Sequence, residues 1–251
     1  MLTQCQAPII SYGIIGYIRD ENIIKYLMVQ KKDTIAFIEF IRGKYSHNNL
    51  EYITKLLSNM TIGERHFISA GNFDALWSYL WKHYSNGAHL QYYNSSKSKM
   101  NKLLEGIDNN GSKITLIDML SSITGNKDEP WEFPKGRTEL DESPLDCAIR
   151  EFTEETGFEI NRDIIDTSTE YVETYIGMNG TIYKTVYYLA NISDIISKNY
   201  DYIVDEFTGT THQLREIKRI SILSYKDARA RLYGDNMRLN MISAINRDLL
   251  S

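Results

Sequence analysis

The stretch from Trp131 to Phe158, WEFPKGRTELDESPLDCAIREFTEETGF, constrains this chain more than any other. It sets eight acidic side chains within 28 residues. Ser143-Pro144 reads as a helix start: serine at the N-cap accepts the first N–H bonds, and proline suits the next position, where its missing N–H goes unused. Asp146 falls three residues after the cap, near the positive end of the helix dipole. Gly157 is the expected stop. Leu145, Ala148, Ile149 and Phe152 recur at helical spacing as a buried stripe. Glu151, Glu154 and Glu155 then crowd together on another face, where like charges three and four residues apart repel. Such repulsion is relieved by a cation, and hard divalent ions favour oxygen ligands.

The spacing also carries a family resemblance. Gly136, five residues, Glu142, seven residues, then Arg150-Glu151-Phe152-Thr153-Glu154-Glu155-Thr156-Gly157-Phe158 matches the Nudix box at every defined position. The resemblance implies a hydrolase that cuts a diphosphate linkage in a nucleoside diphosphate joined to another group, using Mg²⁺ or Mn²⁺. It implies that Glu151, Glu154 and Glu155 are catalytic metal ligands. It also implies that Arg150 pairs with Glu142 to brace the loop–helix–loop, with Gly136 and Gly157 as structural box positions. Fold class follows as α+β: a Nudix α/β/α sandwich with a mixed sheet. In the chemistry expected there, the metal neutralises phosphate oxygens and lowers the pKa of bound water. Lys135 and Arg137 flank Gly136 and can add positive charge near the departing phosphate. Glu154 or Glu216, the latter outside the box, is a candidate to take the water's proton.

A chain of 251 residues has ample length for a core. Its net charge of −5 gives no global attraction to nucleic acid, so any RNA contact must come from a local patch. Cys5 and Cys147 make no disulfide framework, which fits a reducing compartment. The N-terminal apolar run is interrupted by Gly13, Gly16 and Arg19, and the reading is of no signal peptide, no membrane span and a cytoplasmic protein.

Residues 8–33 read as a β-hairpin turning at Asp20-Glu21-Asn22, the first part (1–33) of the catalytic domain. Lys31 and Lys32 close it, and both are candidate phosphate contacts, with Lys32 the candidate substrate-binding residue. Residues 34–125 change texture: TIAFIEFIRGKY, NLEYITKLLSNM, TIGERHFIS and NFDALWSYLWKHY show helical spacing, and Thr61 with Glu64 is a capping-box signal. This predicts an inserted all-helical domain, with the catalytic domain resuming over 126–251. Nine basic residues face seven acidic ones in the insert. From Trp77 to Leu104 there is no acid at all, and Lys82, Lys97, Lys99 and Lys102 alternate with tryptophans and tyrosines. Charge beside aromatic faces is what single-stranded RNA binding uses. Lys97, Lys99 and Lys102 are therefore candidate RNA contacts, whereas Trp77 and Trp81 read as insert core.

After the box, Tyr171 to Met178 and Thr181 to Ile192 alternate around Asn179-Gly180, a type I′ hairpin signal. Lys184 in the second strand is a further candidate for ligand phosphate. Residues 199–211 read as a loop. Residues 225–250 read as one closing helix with Ala228, Leu232, Met237, Met241 and Ile245 in the core.

The segments VQKKDTIAFIEFIRGKYS, LSNMTIGER, FDALWSYLW, WEFPKG and CAIREFTEETG, in this order, resemble the Nudix mRNA-decapping enzymes of large cytoplasmic DNA viruses. That resemblance implies capped mRNA as substrate, release of m⁷GDP and 5′-monophosphate RNA, and an insert that binds RNA. It further implies activity on inositol pyrophosphates, and for a viral member action in the infected host cytoplasm with host shutoff. Three readings stay open: a cap hydrolase, a small-molecule Nudix enzyme for diphosphoinositol polyphosphates or nucleotides, and a non-catalytic RNA-binding module. Oligomeric state is left open.

Overall fold

The computed structural model describes residues 7–84, 87–109, 111–125, 127–232 and 234–250; Cys5 lies outside them. The chain divides into two compact units, one made of Met1–Lys31 with Trp131–Ser251 and the other of Lys32–Pro130.

The first unit is built on a mixed sheet. In chain order it holds β1 (Ile9–Asp20) and β2 (Ile23–Lys31) before the second unit, which carries α1 to α6 and the short strands β3 and β4. It resumes with β5 (Trp131–Glu132), β6 (Lys135–Arg137), α7 (Pro144–Thr156), β7 (Ile165–Ile176), β8 (Ile182–Asn191) and β9 (Asp201–Ile203). The chain closes with α8 (Thr211–Glu216), β10 (Ile217–Ser224), α9 (Tyr225–Arg231) and α10 (Asn236–Leu250). The sheet runs β7-β8-β1-β2-β10-β9, with β5 added to β2 and β6 to β1. Only the long β1–β8 pairing is parallel among these ladders.

Period-two alternation explains the layers. Ile14 and Ile18 of β1, Leu27 and Val29 of β2, and Tyr188 and Ala190 of β8 face one side, where Ala148 and Phe152 of α7 cover them. Their neighbours Ile15, Tyr26, Met28, Tyr187 and Leu189 face the other side, under Ala228, Met241, Ile242 and Ile245 of α9 and α10. The result is the expected α/β/α sandwich. β5 pairs Val29 with Glu132 and Gln30 with Trp131, so the chain re-enters the sheet beside the strand it left.

Several expectations are corrected. Residues 201–203 form a strand, held by Arg219 and Ser221 of β10, where a loop was expected. The closing helix is two helices, and Met237, in the first turn of the second, is exposed while Ile242 and Leu249 enter the core. The hairpin after the box is not type I′: Gly180 has φ +79°, but Asn179 keeps a negative φ. A Gly177 carbonyl accepts from Gly180 N–H, and Gly177 N–H donates to Thr181 O, a three-residue loop with the left-handed residue last.

The second unit contains α1 (Ile35–Ile41), α2 (Leu50–Ser58), α3 (Ile62–Ser69), α4 (Phe73–Trp81), α5 (Leu90–Glu105) and α6 (Leu116–Ser121). It is not all-helical: β3 (Ile107–Asn109) and β4 (Ser112–Ile114) form a small hairpin. Its boundaries lie slightly outside the expected 34–125. Thr61 and Glu64 make a capping box on α3, and the buried Glu64 also accepts from Thr34 N–H at 2.7 Å and Thr34 Oγ at 2.9 Å. One carboxylate thus ties together the starts of α1 and α3. No helix of the described residues is long and apolar enough to cross a membrane.

Candidate active site

The box folds as a loop, a helix and a loop. Ser143 caps α7 by accepting from Asp146 N–H, Pro144 opens it, and Gly157 closes it at φ +77°. Ala148 and Phe152 anchor the helix to the sheet; Glu155, one turn after Phe152, is buried on the same side, while Glu151 and Glu154 lie off that stripe. β6 lies against β1, with Tyr12 opposite Gly136 and Gly13 opposite Lys135.

Gly136 is required by space. A Cβ built there would lie 2.0 Å from the Glu151 carboxylate, so any side chain would displace that group. Arg150 clamps the loop to the helix. Its Nε and Nη2 donate to the two oxygens of Glu142 at 2.8 and 3.0 Å, Nη2 also to the Arg137 carbonyl at 2.9 Å, and Nη1 to Glu151 at 2.8 Å and Glu154 at 3.2 Å. The fork geometry of guanidinium allows this bidentate hold. Arg150 keeps the Glu142 carboxyl down at about 2. Burial raises that of Glu151 above its ordinary value, with Arg150 pulling the other way.

Deeper in, Lys31 at the end of β2 organises a second group. Its ammonium donates to Glu155 Oε1 at 2.8 Å and Glu216 Oε2 at 2.7 Å and lies 3.7 Å from Glu132. Burial disfavours its charge, but these carboxylates outweigh burial and hold it protonated. Burial pushes the Glu155 carboxyl up, with Lys31 opposing, while Lys31 holds the Glu216 carboxyl below its usual range. The Lys135 ammonium donates to Glu132 at 2.9 Å and its backbone N–H to Glu155 at 3.2 Å. Burial works against the charge on Glu132, yet Lys135, Lys31 and Arg238 keep its carboxyl at about 2.

Glu151, Glu154, Glu155 and Glu216 therefore belong to one acidic neighbourhood, with Glu216 delivered from the end of α8. Glu154 also lies 3.5 Å from His212 Nδ1. Lys135 is present, but its ammonium is committed to Glu132. Arg137 is exposed beside Gly136, its guanidinium 6.0 Å from the Tyr183 ring. Lys184 stands on β8 between Ile10 and Thr174, and the ion pairs of this neighbourhood form without it among the described residues. Lys32 belongs to the second unit, its ammonium 4.6 Å from the Tyr79 ring, and Lys31 is the lysine that pairs with these carboxylates. Strand parity carried that signal, since Lys31 shares a face with Leu27 and Val29, the face α7 covers. Glu132 had no comparable signal in the sequence.

The expected RNA contacts divide. Lys99 is turned inward, donating to the Gly43 and Tyr45 carbonyls at 2.6 and 2.8 Å, and so pins the turn after α1. Lys97 bonds Asp74 at 2.7 and 2.9 Å and the Tyr93 hydroxyl at 3.1 Å. Lys102 is exposed.

Fold and site together define a class. The Nudix domain profile matches residues 107–236, more than half of the chain, and the chain belongs to the Nudix family. The relatives narrow the likeness. mRNA-decapping protein g5R of African swine fever virus is 38% identical over 171 residues, 67% of this chain and 66% of that protein. A candidate mRNA-decapping protein of Acanthamoeba polyphaga mimivirus is 32% identical over 231 residues, 84% of this chain and 61% of that one. The m7GpppN-mRNA hydrolase of Saccharomyces cerevisiae is 29% identical over 140 residues, 56% of this chain and 12% of that protein. The match thus spans just under two thirds of the length of the viral relatives.

Nudix hydrolases generally need a divalent metal ion. The donor chemistry here suits one: all are carboxylate oxygens, the ligands that hard divalent ions favour. The described carboxylates do not converge three at a time on one point. Arg150 draws Glu151 and Glu154 to itself, and Lys31 draws Glu155 and Glu216.

Proposed function

We propose that this chain is an mRNA-decapping hydrolase that cleaves the diphosphate linkage of the m⁷G cap and releases m⁷GDP and 5′-monophosphate RNA. The observation that carries the reading is the acidic neighbourhood at the end of the box helix, in a chain aligned over 67% of its length with a viral mRNA-decapping protein. Glu151, Glu154 and Glu155 would hold Mg²⁺ or Mn²⁺, which supplies positive charge to the diphosphate and acidifies water. Gly136 leaves room for the Glu151 carboxylate. Arg150 sets the direction of Glu151 and Glu154. Glu216, kept ionised by Lys31 and half exposed, accepts the proton of the attacking water. Arg137, exposed beside the cluster, meets the phosphate charge that develops on the leaving side. Lys102 and the faces of the second unit hold the RNA body, and the site of action is the cytoplasm, that of the infected host if the source is viral.

The test is product analysis with cap-labelled RNA, with and without Mg²⁺ or Mn²⁺, and with an inositol pyrophosphate as a parallel substrate. Metal-dependent release of m⁷GDP from long RNA is expected. Cleavage of the inositol pyrophosphate with no cap release would replace the reading with a small-molecule one. Metal-independent RNA binding with no turnover on either substrate would leave an RNA-binding module.

A further inference from the structure

The second unit holds a cavity of about 270 Å³ that the hydrolytic site does not use. Trp77 and Trp81 of α4, His89 and Tyr92 line it, with Arg42 and Lys44 at its edge. Its volume is below the ~300–1,000 Å³ common for drug-sized ligands, which suits one flat ring system. Trp81 already stacks on His89 with centroids 4.6 Å apart and planes 10° from parallel. Tyr92 is 49% exposed.

Among the described residues three polar atoms of this wall have no partner: Nε1 of Trp77, Nε1 of Trp81 and Nδ1 of His89 are buried and make no hydrogen bond. An indole N–H can only donate, so two donors here are without acceptors. Trp77 is 95% covered (5% exposed), so solvent does not meet its donor. Buried donors are normally paired, and unpaired ones call for an explanation. The edge carries charge of one sign. Arg42 and Lys44 are exposed, the Lys44 ammonium lies 5.7 Å from the Tyr92 centroid, and no acid is among the described lining residues.

We propose that this cavity takes an unpaired nucleobase of single-stranded RNA, stacked on Tyr92, with the flanking phosphates on Arg42 and Lys44. Every base has a flat face and carries acceptor atoms on its edge for the indole donors, and its phosphates complement the basic edge. A duplex keeps its bases paired and cannot present one. The inference deepens the decapping reading by giving the RNA body a defined seat away from the cap, and it rests on RNA being the substrate.

The test is binding by the full chain, without metal, to uncapped fluorescein-labelled oligouridylate, read by anisotropy and by quenching of tryptophan fluorescence. Neither cap nor turnover is involved, so its failure is distinct from a failure of cap release by the unaltered protein. Tyr92→Ala and the double variant Arg42→Glu, Lys44→Glu change exposed residues, and melting curves check that they fold. Each is expected to weaken binding at least tenfold, while Tyr92→Phe, which keeps the ring, retains it. Unchanged affinity in the folded variants would overturn the proposal. So would equal binding of duplex RNA, or quenching by m⁷GTP alone, or a Tyr92→Phe protein as weak as Tyr92→Ala. Retained binding in Tyr92→Phe with loss in the other two supports it.

Discussion

Gly136 and Glu151 occupy adjoining space so closely that the glycine hydrogen is all the room between them: a Cβ would stand 2.0 Å from the carboxylate. The loop and the helix of the box are therefore fitted to each other at this point. Gly136→Ala is expected to swing Glu151 off its Arg150 contact and reduce kcat/KM at least tenfold. Overpacking of this kind costs about 1–3 kcal/mol, so the melting temperature falls modestly while activity falls steeply. Steady-state kinetics with a differential scan separates the two effects, and an alanine variant with normal kcat/KM would contradict the fit.

Glu155→Gln keeps the shape of a buried side chain that accepts from Lys31 and the Lys135 N–H. Lys31 retains Glu216 and Glu132 as partners. Folding should therefore survive, and hydrolysis should fall by on the order of a hundredfold or more, as expected for loss of a group that handles charge at the reacting phosphate. Normal turnover by a folded variant would remove Glu155 from the site.

The adjacent lysines should matter unequally. Lys31→Met leaves the Glu155 carboxylate buried without its counter-ion, whereas Glu132 keeps Lys135, a change that costs about 3–5 kcal/mol. The deficit shrinks on acidification, because protonating Glu155 removes the uncompensated charge. Lys32→Met removes a cation from the Tyr79 face, a loss of about 1 kcal/mol. Urea titrations of both variants at two pH values check the contrast; equal losses would refute it.

Asp33 gives a pH dependence of its own. It is 7% exposed, accepts from the Tyr79 hydroxyl at 2.9 Å, and burial pushes its carboxyl up to about 6, with Lys32 opposing. A raised carboxylate pKa means the folded state binds the proton more tightly than the unfolded chain. The associated stability is full below the ordinary value of 3.8 and is lost as pH rises through about 6. The loss is on the order of 2–3 kcal/mol by linkage. Asp33→Asn should abolish this slope. Trp77 and Trp81, two of the chain's three tryptophans, make fluorescence-detected urea unfolding a direct reporter. A slope that persists in the asparagine variant would assign it to another group.

What could be read ahead of the structure follows from range. The helix of the box is local: Ser143 and Gly157 fix its ends, so spacing alone was enough for it, whereas the division of Glu151 and Glu154 on Arg150 from Glu155 on Lys31 depends on a strand more than a hundred residues away. The two sheet faces followed from alternation in β1 and β2, and the same alternation distinguishes Lys31 from Lys32. Lys99 could not be read, because the carbonyls that hold it, those of Gly43 and Tyr45, lie more than fifty residues away. β9 is three residues long and exists only because Arg219 and Ser221 are there to pair with it. The pairing of Lys135 with Glu132 was within reach at a spacing of three, but strand geometry gives that spacing no preferred meeting.

The pairing of Gln30 with Trp131 has a consequence for how the chain folds. Joining those two residues through an unfolded segment of about a hundred positions is entropically demanding, though the demand grows only with the logarithm of length. Residues 32–130 have a core of their own, with Phe37, Ile53, Leu56 and Leu76 fully covered. If that core condenses first, the strands on either side meet across a folded body and no longer across a random coil. The sheet then inherits a short closure, and the order of assembly becomes a property of the intervening segment: speed of catalytic-domain folding is set by residues that contribute no strand to it.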